Sequence, residues 1–285
     1  MDRHRGVATE PLPPLRSRLL GAWDALLVFA GDAPPERLAE LAELGSWPER
    51  PVLARLMAQA AGERPGPEPE RLDHRADRPA ALLAALAEAR TRTAEALERI
   101  AERPELALVS ADSALGPLPL LTQVHAMGHE LALAAIRCGS GGGSGGRGVA
   151  PAPVPAAVTD AGVAAMVDVV GALACRQGLR VAAGIWGEGT GGWSFRAGPD
   201  GWRTLPGRPD DVPGVEGAAA TVLGVPAGRG ALPALLARGE LRLHRIGGLM
   251  ALAPLVEQVP GLPGGALLRR AVGMVGLLGR LPGVR

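Results

Sequence analysis

Two histidines, His125 and His129, are the residues of this sequence best placed to share one chemical task. They occur in the run VHAMGHE, within a predicted helix over 117–138. Side chains four residues apart lie on the same face of a helix, with about 6 Å between them. Two imidazoles at this spacing suit a single divalent metal ion such as zinc. The pair therefore predicts two of the three protein ligands that a catalytic zinc site needs.

The same two histidines also have a structural interpretation. Apolar residues follow the same helix face, so both imidazoles are expected to point into a helical core. Backbone carbonyls or carboxylates would satisfy them there without a metal. A third metal ligand, if there is one, could come from the loop that carries Asp73, His74 and Asp77. The sequence alone leaves both interpretations open.

A run rich in Gly and Ser and then in Pro, residues 139–155, divides the chain. Such a composition is typical of linkers between domains. Acids outnumber arginines before this run, and arginines outnumber acids after it. We therefore predict one domain over 10–138 and a second over 156–262. The apolar tail 263–285 carries arginines and no acids, and it either docks on its own domain or contacts a membrane surface.

The two halves differ in hydrophobic periodicity. Helices are predicted over 15–29, 32–45, from Pro48 onward, over 79–102 and over 117–138. Their lengths and short connections predict an up-and-down bundle of about four helices. After the linker, one helix over 158–175 precedes alternating residues and Gly-rich turns, which predict an antiparallel sheet. The predicted fold class is therefore multi-domain, with an all-α half followed by an α+β half.

Composition excludes several classes of function. The 285 residues carry a formal net charge of +1, so charge gives no reason to expect a nucleic-acid partner. The chain contains no lysine, which excludes Schiff-base chemistry. Its two cysteines, Cys138 and Cys175, are too few for a disulfide framework and favour a reducing compartment. With no signal-peptide pattern and no predicted transmembrane segment, we expect a cytoplasmic protein.

Four groups of short motifs occur along the chain. They are WPERPVLARL at 47–56, GPLP at 116–119 followed by the two histidines, GGWSFR with PDG within 191–201, and VEGA, GR and RGEL at 215–218, 228–229 and 238–241. In their order and spacing these motifs resemble the mycothiol-dependent maleylpyruvate isomerase family over about residues 10–260. The resemblance implies a DinB-like, metal-binding four-helix bundle joined to a C-terminal domain of the sterol-carrier-protein type.

The resemblance also implies a site. His129 matches the histidine of the family's last bundle helix, and His125 stands where the family usually has glutamate. Arg55 stands where the family has its first histidine ligand, and a guanidinium cannot bind a metal because it stays protonated. In the family, a divalent metal such as zinc would activate mycothiol, a thiol cofactor, for attack on a small electrophile. The implied activity is an isomerase or a thiol transferase.

Three interpretations of these residues stay open. The histidines bind a metal, or they form with Arg55 a cationic pocket for a carboxylate, or they are structural and Arg55 reaches solvent. The second interpretation makes the chain a non-catalytic relative that binds an apolar or carboxylated small molecule. Arg229 is a further candidate for binding an acidic ligand, with solvated surface as its alternative. Trp186, Trp193 and Trp202 either line an apolar cavity or form the core of the sheet.

Overall fold

The structure is a computed structural model, and it describes residues 11–64, 66, 74–140, 153–188, 191–225, 232–252 and 254–255. Most of the predicted linker, the whole predicted tail 263–285 and Arg229 lie outside the described residues. The predicted domain division at 139–155 therefore stays a prediction.

The first half is helical, as predicted. Its elements are α1 (Leu12–Gly31), α2 (Pro35–Leu38), α3 (Ala42–Gly45), α4 (Pro51–Ala61), α5 (Pro79–Glu102), a short hairpin of β1 (Ser110–Ala111) and β2 (Leu118–Pro119), and α6 (Leu120–Gly139). The helix predicted over 32–45 is broken into α2, a 3₁₀ turn and α3. Leu38, Leu41 and Leu44 are all buried there, and their spacing of three matches the tighter 3₁₀ repeat.

The second half is α+β, also as predicted. Its elements are α7 (Ala156–Arg176), β3 (Val181–Glu188), β4 (Trp193–Gly198), β5 (Gly201–Pro206), β6 (Gly214–Ala218), α8 (Ala219–Gly224), α9 (Leu232–Ala237), β7 (Leu241–His244) and α10 (Ile246–Leu249). The strands form one sheet in the order β5-β4-β3-β6-β7.

The sheet is mixed, so the prediction of an antiparallel sheet is wrong for one pair of strands. The β3-β4-β5 meander is antiparallel, as predicted, but β6 runs parallel to β3. The cause is the connection after β5, which carries the chain from one edge of the sheet to the far side of β3. The sequence pattern did not predict β6, because two of its five residues, Gly214 and Gly217, are glycines, which are rare in strands.

Helix α7 is the centre of the molecule, because it packs on α6 and α1 on one side and on the inner face of the sheet on the other. The α6–α7 contact depends on glycine. A Cβ atom at Gly162 would lie 2.5 Å from the Cβ of Ala132, and one at Gly128 would lie 2.8 Å from the carbonyl oxygen of Ala161. The helical half and the α+β half therefore meet at nearly backbone-to-backbone distance.

Among the described helices, α7 is long and apolar enough to cross a membrane by length and composition alone. However, 78% of its most apolar stretch is buried inside the molecule. Its one fully buried acid, Asp168, is hydrogen-bonded by side chains of the sheet and of α6. These contacts are those of a core helix.

The close approach of α6 and α7 predicts the effect of adding one methyl group there. Gly162→Ala should lower the free energy of unfolding by about 2 kcal/mol, because the new atom overlaps Ala132. The matched control is Gly21→Ala, at an exposed position of α1 with nothing within 4 Å of the new atom. It should raise stability by about 0.5–1 kcal/mol. Urea unfolding measures both changes, and a neutral Gly162→Ala variant would contradict this packing.

Candidate functional site

His125 is fully buried and is hydrogen-bonded through both ring nitrogens. Its Nε2 atom lies 3.2 Å from Nη2 of Arg18, and its Nδ1 atom lies 3.0 Å from Oδ2 of Asp168. A guanidinium can only donate, so Nε2 must accept and carries no proton. The proton of the neutral ring is therefore on Nδ1, where it is donated to the carboxylate. The two neighbours together fix one tautomer of His125.

The carboxylate of Asp168 is the anchor of this arrangement. It has no solvent exposure, and it accepts hydrogen bonds from three side chains. Oδ1 accepts from the indole Nε1 of Trp202 at 2.8 Å and from the hydroxyl of Thr204 at 2.9 Å, while Oδ2 accepts from His125. A carboxylate taken out of water costs several kcal/mol unless such donors replace the water. Asp168 therefore requires these three side chains in these places.

The strand register explains why two donors reach the same oxygen. Trp202 and Thr204 are two residues apart on β5, so their side chains point to the same face of the sheet. They pair with Ala197 and Phe195 of β4, and that face packs against α7. Because side chains alternate between the two faces of a strand, the indole N–H of Trp202 and the hydroxyl of Thr204 both face the turn of α7 that carries Asp168.

Arg18 closes the arrangement on the side of α1. Its guanidinium carbon lies 4.1 Å from the ring centroid of Trp193, in the geometry of a cation–π contact. The indole Nε1 of Trp193 donates to Oδ1 of Asp160 at 2.9 Å. Arg18 itself is only half-buried. The result is a partly accessible cation that is held by an aromatic face and by the imidazole of His125.

His129 is in a different environment from His125. Its Nδ1 atom is buried and has no hydrogen-bond partner among the described residues. Burial lowers the pKa of His129 to about 4, because the charged form would lose its hydration. The imidazole is therefore neutral at physiological pH.

The described residues do not fit a metal ion at the predicted pair. A metal would need the lone pair of Nε2 of His125, and a guanidinium, itself a cation, lies at that atom. No group of three or more His, Cys, Asp or Glu side chains that could hold a metal occurs within the described ranges. The metal site predicted from the sequence is thus not confirmed, and no chemical step is assigned to a metal below.

The other predicted site residues lie elsewhere. Arg55 donates through Nη1 to the carbonyl oxygen of Asp112 at 2.5 Å. His74 is bonded through Nδ1 to Oδ2 of Asp77 at 2.7 Å, and it lines a separate cleft described below. Cys138 and Cys175 are both buried, and burial raises the pKa of each thiol. A raised pKa makes a thiol less reactive.

Trp193 and Trp202 belong to the core and also serve the site, whereas Trp186 packs against His244 and Arg208 outside that core. Trp186, Trp193 and Trp202 are all buried. Trp202 binds Asp168, and Trp193 contacts Arg18 and lines an open cavity of about 390 Å³. Sequence reasoning missed Arg18 and Asp168 altogether. A signal existed for Asp168, since it is a single acid in the middle of an apolar helix, and such an acid must find partners.

The lowered pKa of His129 predicts a pH dependence of stability. The unfolded chain binds a proton at this residue near pH 6.5, whereas the folded chain does so only near pH 4. The neutral imidazole of His129 therefore contributes fully to the free energy of unfolding above pH 6.5. This contribution, up to about 3 kcal/mol, is lost as the pH falls towards 4. His129→Gln should remove this part of the slope in urea unfolding, and His244→Gln, at a partly exposed histidine, should keep it.

Stabilisation of the protein by zinc would contradict the conclusion that the two histidines do not bind a metal. If His129 and His125 were ligands, excess zinc chloride would stabilise the protein and the effect would vanish in His129→Gln. We expect zinc to leave both unfolding curves unchanged.

Comparisons with known proteins found distant structural similarity and no match by sequence. No protein-family model matches the sequence, and no curated protein matches it either. Among solved structures, the mycothiol-dependent maleylpyruvate isomerase and a mutant of the same enzyme are similar to this chain. Each is 14% identical and covers 79% of this chain and 93% of its own, with TM-scores of 0.44 and 0.45 respectively. These values support a distant structural relationship and assign no activity.

Proposed function

We propose that the protein binds a small carboxylate-bearing molecule at Arg18 and does so without a metal. The observation that carries this proposal is the position of the Arg18 guanidinium, which lies between the unprotonated Nε2 of His125 and the ring of Trp193. A guanidinium has five N–H donors and no acceptor. Its planar fork matches the two oxygens of a carboxylate.

A cavity beside Trp193 supports the proposal. It has a volume of about 390 Å³ and is lined by Ala156, Ala157, Asp160, Gly191, Gly192, Trp193 and Pro206. Trp193 is the link between the two features, since Arg18 lies over its ring. A ligand in this cavity would place its apolar part against Trp193 and its carboxylate towards Arg18. The glycines leave room for the ligand to approach the backbone.

One electrostatic feature of this cavity, the start of α7, favours an anion, and the charge of Asp160 opposes it. Ala156 and Ala157 form the first turn of α7, and the N-terminus of a helix carries partial positive charge. Asp160, the acid in the cavity wall, already accepts the indole N–H of Trp193. The chain would then be the non-catalytic, metal-free relative that the sequence offered as an alternative, with Arg18 in place of the predicted Arg55.

The thiol-dependent isomerase or transferase is the second candidate, and one observation favours it. Asp168 orients His125 so that Nε2 carries the lone pair, as in pairs where a carboxylate orients a general base. If a substrate carboxylate drew Arg18 away from Nε2, that atom could take the proton of a thiol such as mycothiol. The metal would not be needed for this step.

The remaining finer expectations belong to the same proposal. We infer a DinB-like bundle and a sterol-carrier-like second half from the motif resemblance, together with a cytoplasmic location. Two further expectations concern residues that the structure does not describe. They are contact of the tail 263–285 with a membrane surface and a contribution of Arg229 to anion binding.

The proposal is tested by titrating the full chain with benzoate and maleate in a calorimeter. Arg18→Gln should weaken binding by at least about tenfold, the loss expected for a charge-assisted pair. The control is Arg16→Gln on the same helix, whose described partner is Glu98 on the surface, and it should bind like the unmodified protein. Loss of binding in both variants, or no binding by the unmodified chain, would contradict the proposal. Turnover of maleylpyruvate with mycothiol that His125→Gln abolishes would favour the second candidate.

A further inference from the structure

A second cavity, independent of Arg18 and His125, lies in the helical half. Its volume is about 480 Å³, within the range of small-molecule sites. Its wall is formed by α3 and the residues after it, by the 3₁₀ turn His74–Ala76, and by the C-terminal part of α6. We call it the arginine cleft, and its lining residues are Ala42, Glu43, Leu44, Ser46, Arg50, His74, Arg75, Glu130, Leu133 and Arg137.

Basic side chains dominate the wall of the arginine cleft. Three guanidiniums, of Arg50, Arg75 and Arg137, face two carboxylates, of Glu43 and Glu130, and the imidazole of His74 adds a further donor or acceptor. Glu40, which is not part of the wall, also pairs with Arg137 at 3.3 Å. The wall itself presents more guanidiniums than carboxylates to a ligand, and this favours anions over purely apolar ligands.

Two of the arginines are less exposed than the glutamates that they pair with, whereas Arg75 and its partner Glu43 are both exposed. The side chain of Arg50 is 20% exposed and that of its partner Glu130 is 38% exposed. Arg137 is 33% exposed, and Glu43, at 3.9 Å from it, is 60% exposed. Exposed ion pairs of this kind contribute little, so the more exposed carboxylates can swing into solvent at small cost. An entering anion would then take their place on the less exposed guanidiniums.

One buried donor in the cleft has no acceptor. The Nε atom of Arg50 is buried and makes no hydrogen bond in the described part of the chain, although Nη2 binds Oε2 of Glu130 at 3.1 Å. A buried donor without a partner is unfavourable, because it has lost its hydrogen bond to water. A ligand oxygen beside Nε and Nη2 would satisfy both edges of the guanidinium at once.

Other features fix the shape of the cleft. Gly45 leaves the space that the His74 ring fills, since a Cβ atom there would lie 2.9 Å from Cδ2 of that ring. His74 is in turn held by Asp77. Glu130 and Arg137 are seven residues apart and share one face of α6. The cleft is therefore built from the fold itself and does not share residues with the Arg18 site.

We propose that the arginine cleft binds a compact dianion, either a phosphate or a short dicarboxylate. Two negative charges match the two less exposed guanidiniums of the wall, those of Arg50 and Arg137. The oxygens of either group can accept from Nε of Arg50 and from the guanidinium of Arg137. A volume of about 480 Å³ suits a small molecule and is far too small for a nucleic-acid duplex.

The test is calorimetric titration of the full chain with inorganic phosphate and, separately, with succinate. Arg50→Gln and Arg137→Gln should each weaken binding about tenfold or more. Glu43→Gln removes a competing carboxylate and should tighten binding about two- to threefold. Arg92→Gln, on the exposed face of α5, is the matched control and should change nothing. Circular dichroism and thermal unfolding check that each variant is folded.

Each outcome decides the proposal. Saturation by phosphate alone or by succinate alone supports the cleft and tells which chemistry it takes. No saturable binding of either probe up to about 10 mM overturns the proposal. Binding that survives Arg50→Gln and Arg137→Gln but is lost in Arg18→Gln overturns it too, because the anion would then occupy the other site. If Arg50→Gln fails to fold, the opposite shifts of Arg137→Gln and Glu43→Gln decide the question.

Discussion

The rest of this structure depends on one buried carboxylate. Asp168 lies in the middle of an apolar helix with no exposure to solvent, so its charge is tolerable only if protein donors replace the lost water. Trp202 and Thr204 of the sheet and His125 of α6 supply those donors. Through His125 the arrangement extends to Arg18 on α1, whose positive charge faces the carboxylate across the imidazole. A single side chain thereby ties the helical half to the α+β half, at the same helix pair whose glycines let the backbones approach.

This constraint also decides what the histidine can do. Because the carboxylate takes the Nδ1 proton, Nε2 of His125 is left as an acceptor, and Arg18 fills the place where a metal would otherwise bind. A histidine held in this way suits anion binding beside it or proton transfer from it. His129 has no such partner among the described residues and stays neutral because it is buried. The two histidines look equivalent in the sequence, but their surroundings give them different chemistry.

Local patterns predicted the features that depend on local physics. The apolar stripe of α6 placed His125 in the interior, and the alternation after residue 179 predicted the β3-β4-β5 meander. The partners of His125 are 43 and 107 residues away in sequence, and no periodicity specifies such pairs. The parallel strand β6 was missed for a related reason, since its glycines carry little strand propensity and it is fixed by the ring of Trp186, which lies over Gly184 and Gly214. The acid of Asp168 in its apolar helix was the one readable sign of the buried site.

The tautomer of His125 tests the central claim most directly. Long-range ¹H–¹⁵N correlation spectra of the full chain, with His125→Gln to assign the signals, report which ring nitrogen carries the proton. The Asp168–His125–Arg18 arrangement predicts a neutral ring with the proton on Nδ1 and an unprotonated Nε2 near neutral pH. A proton on Nε2, or a shift of Nε2 typical of a bound metal, would contradict it.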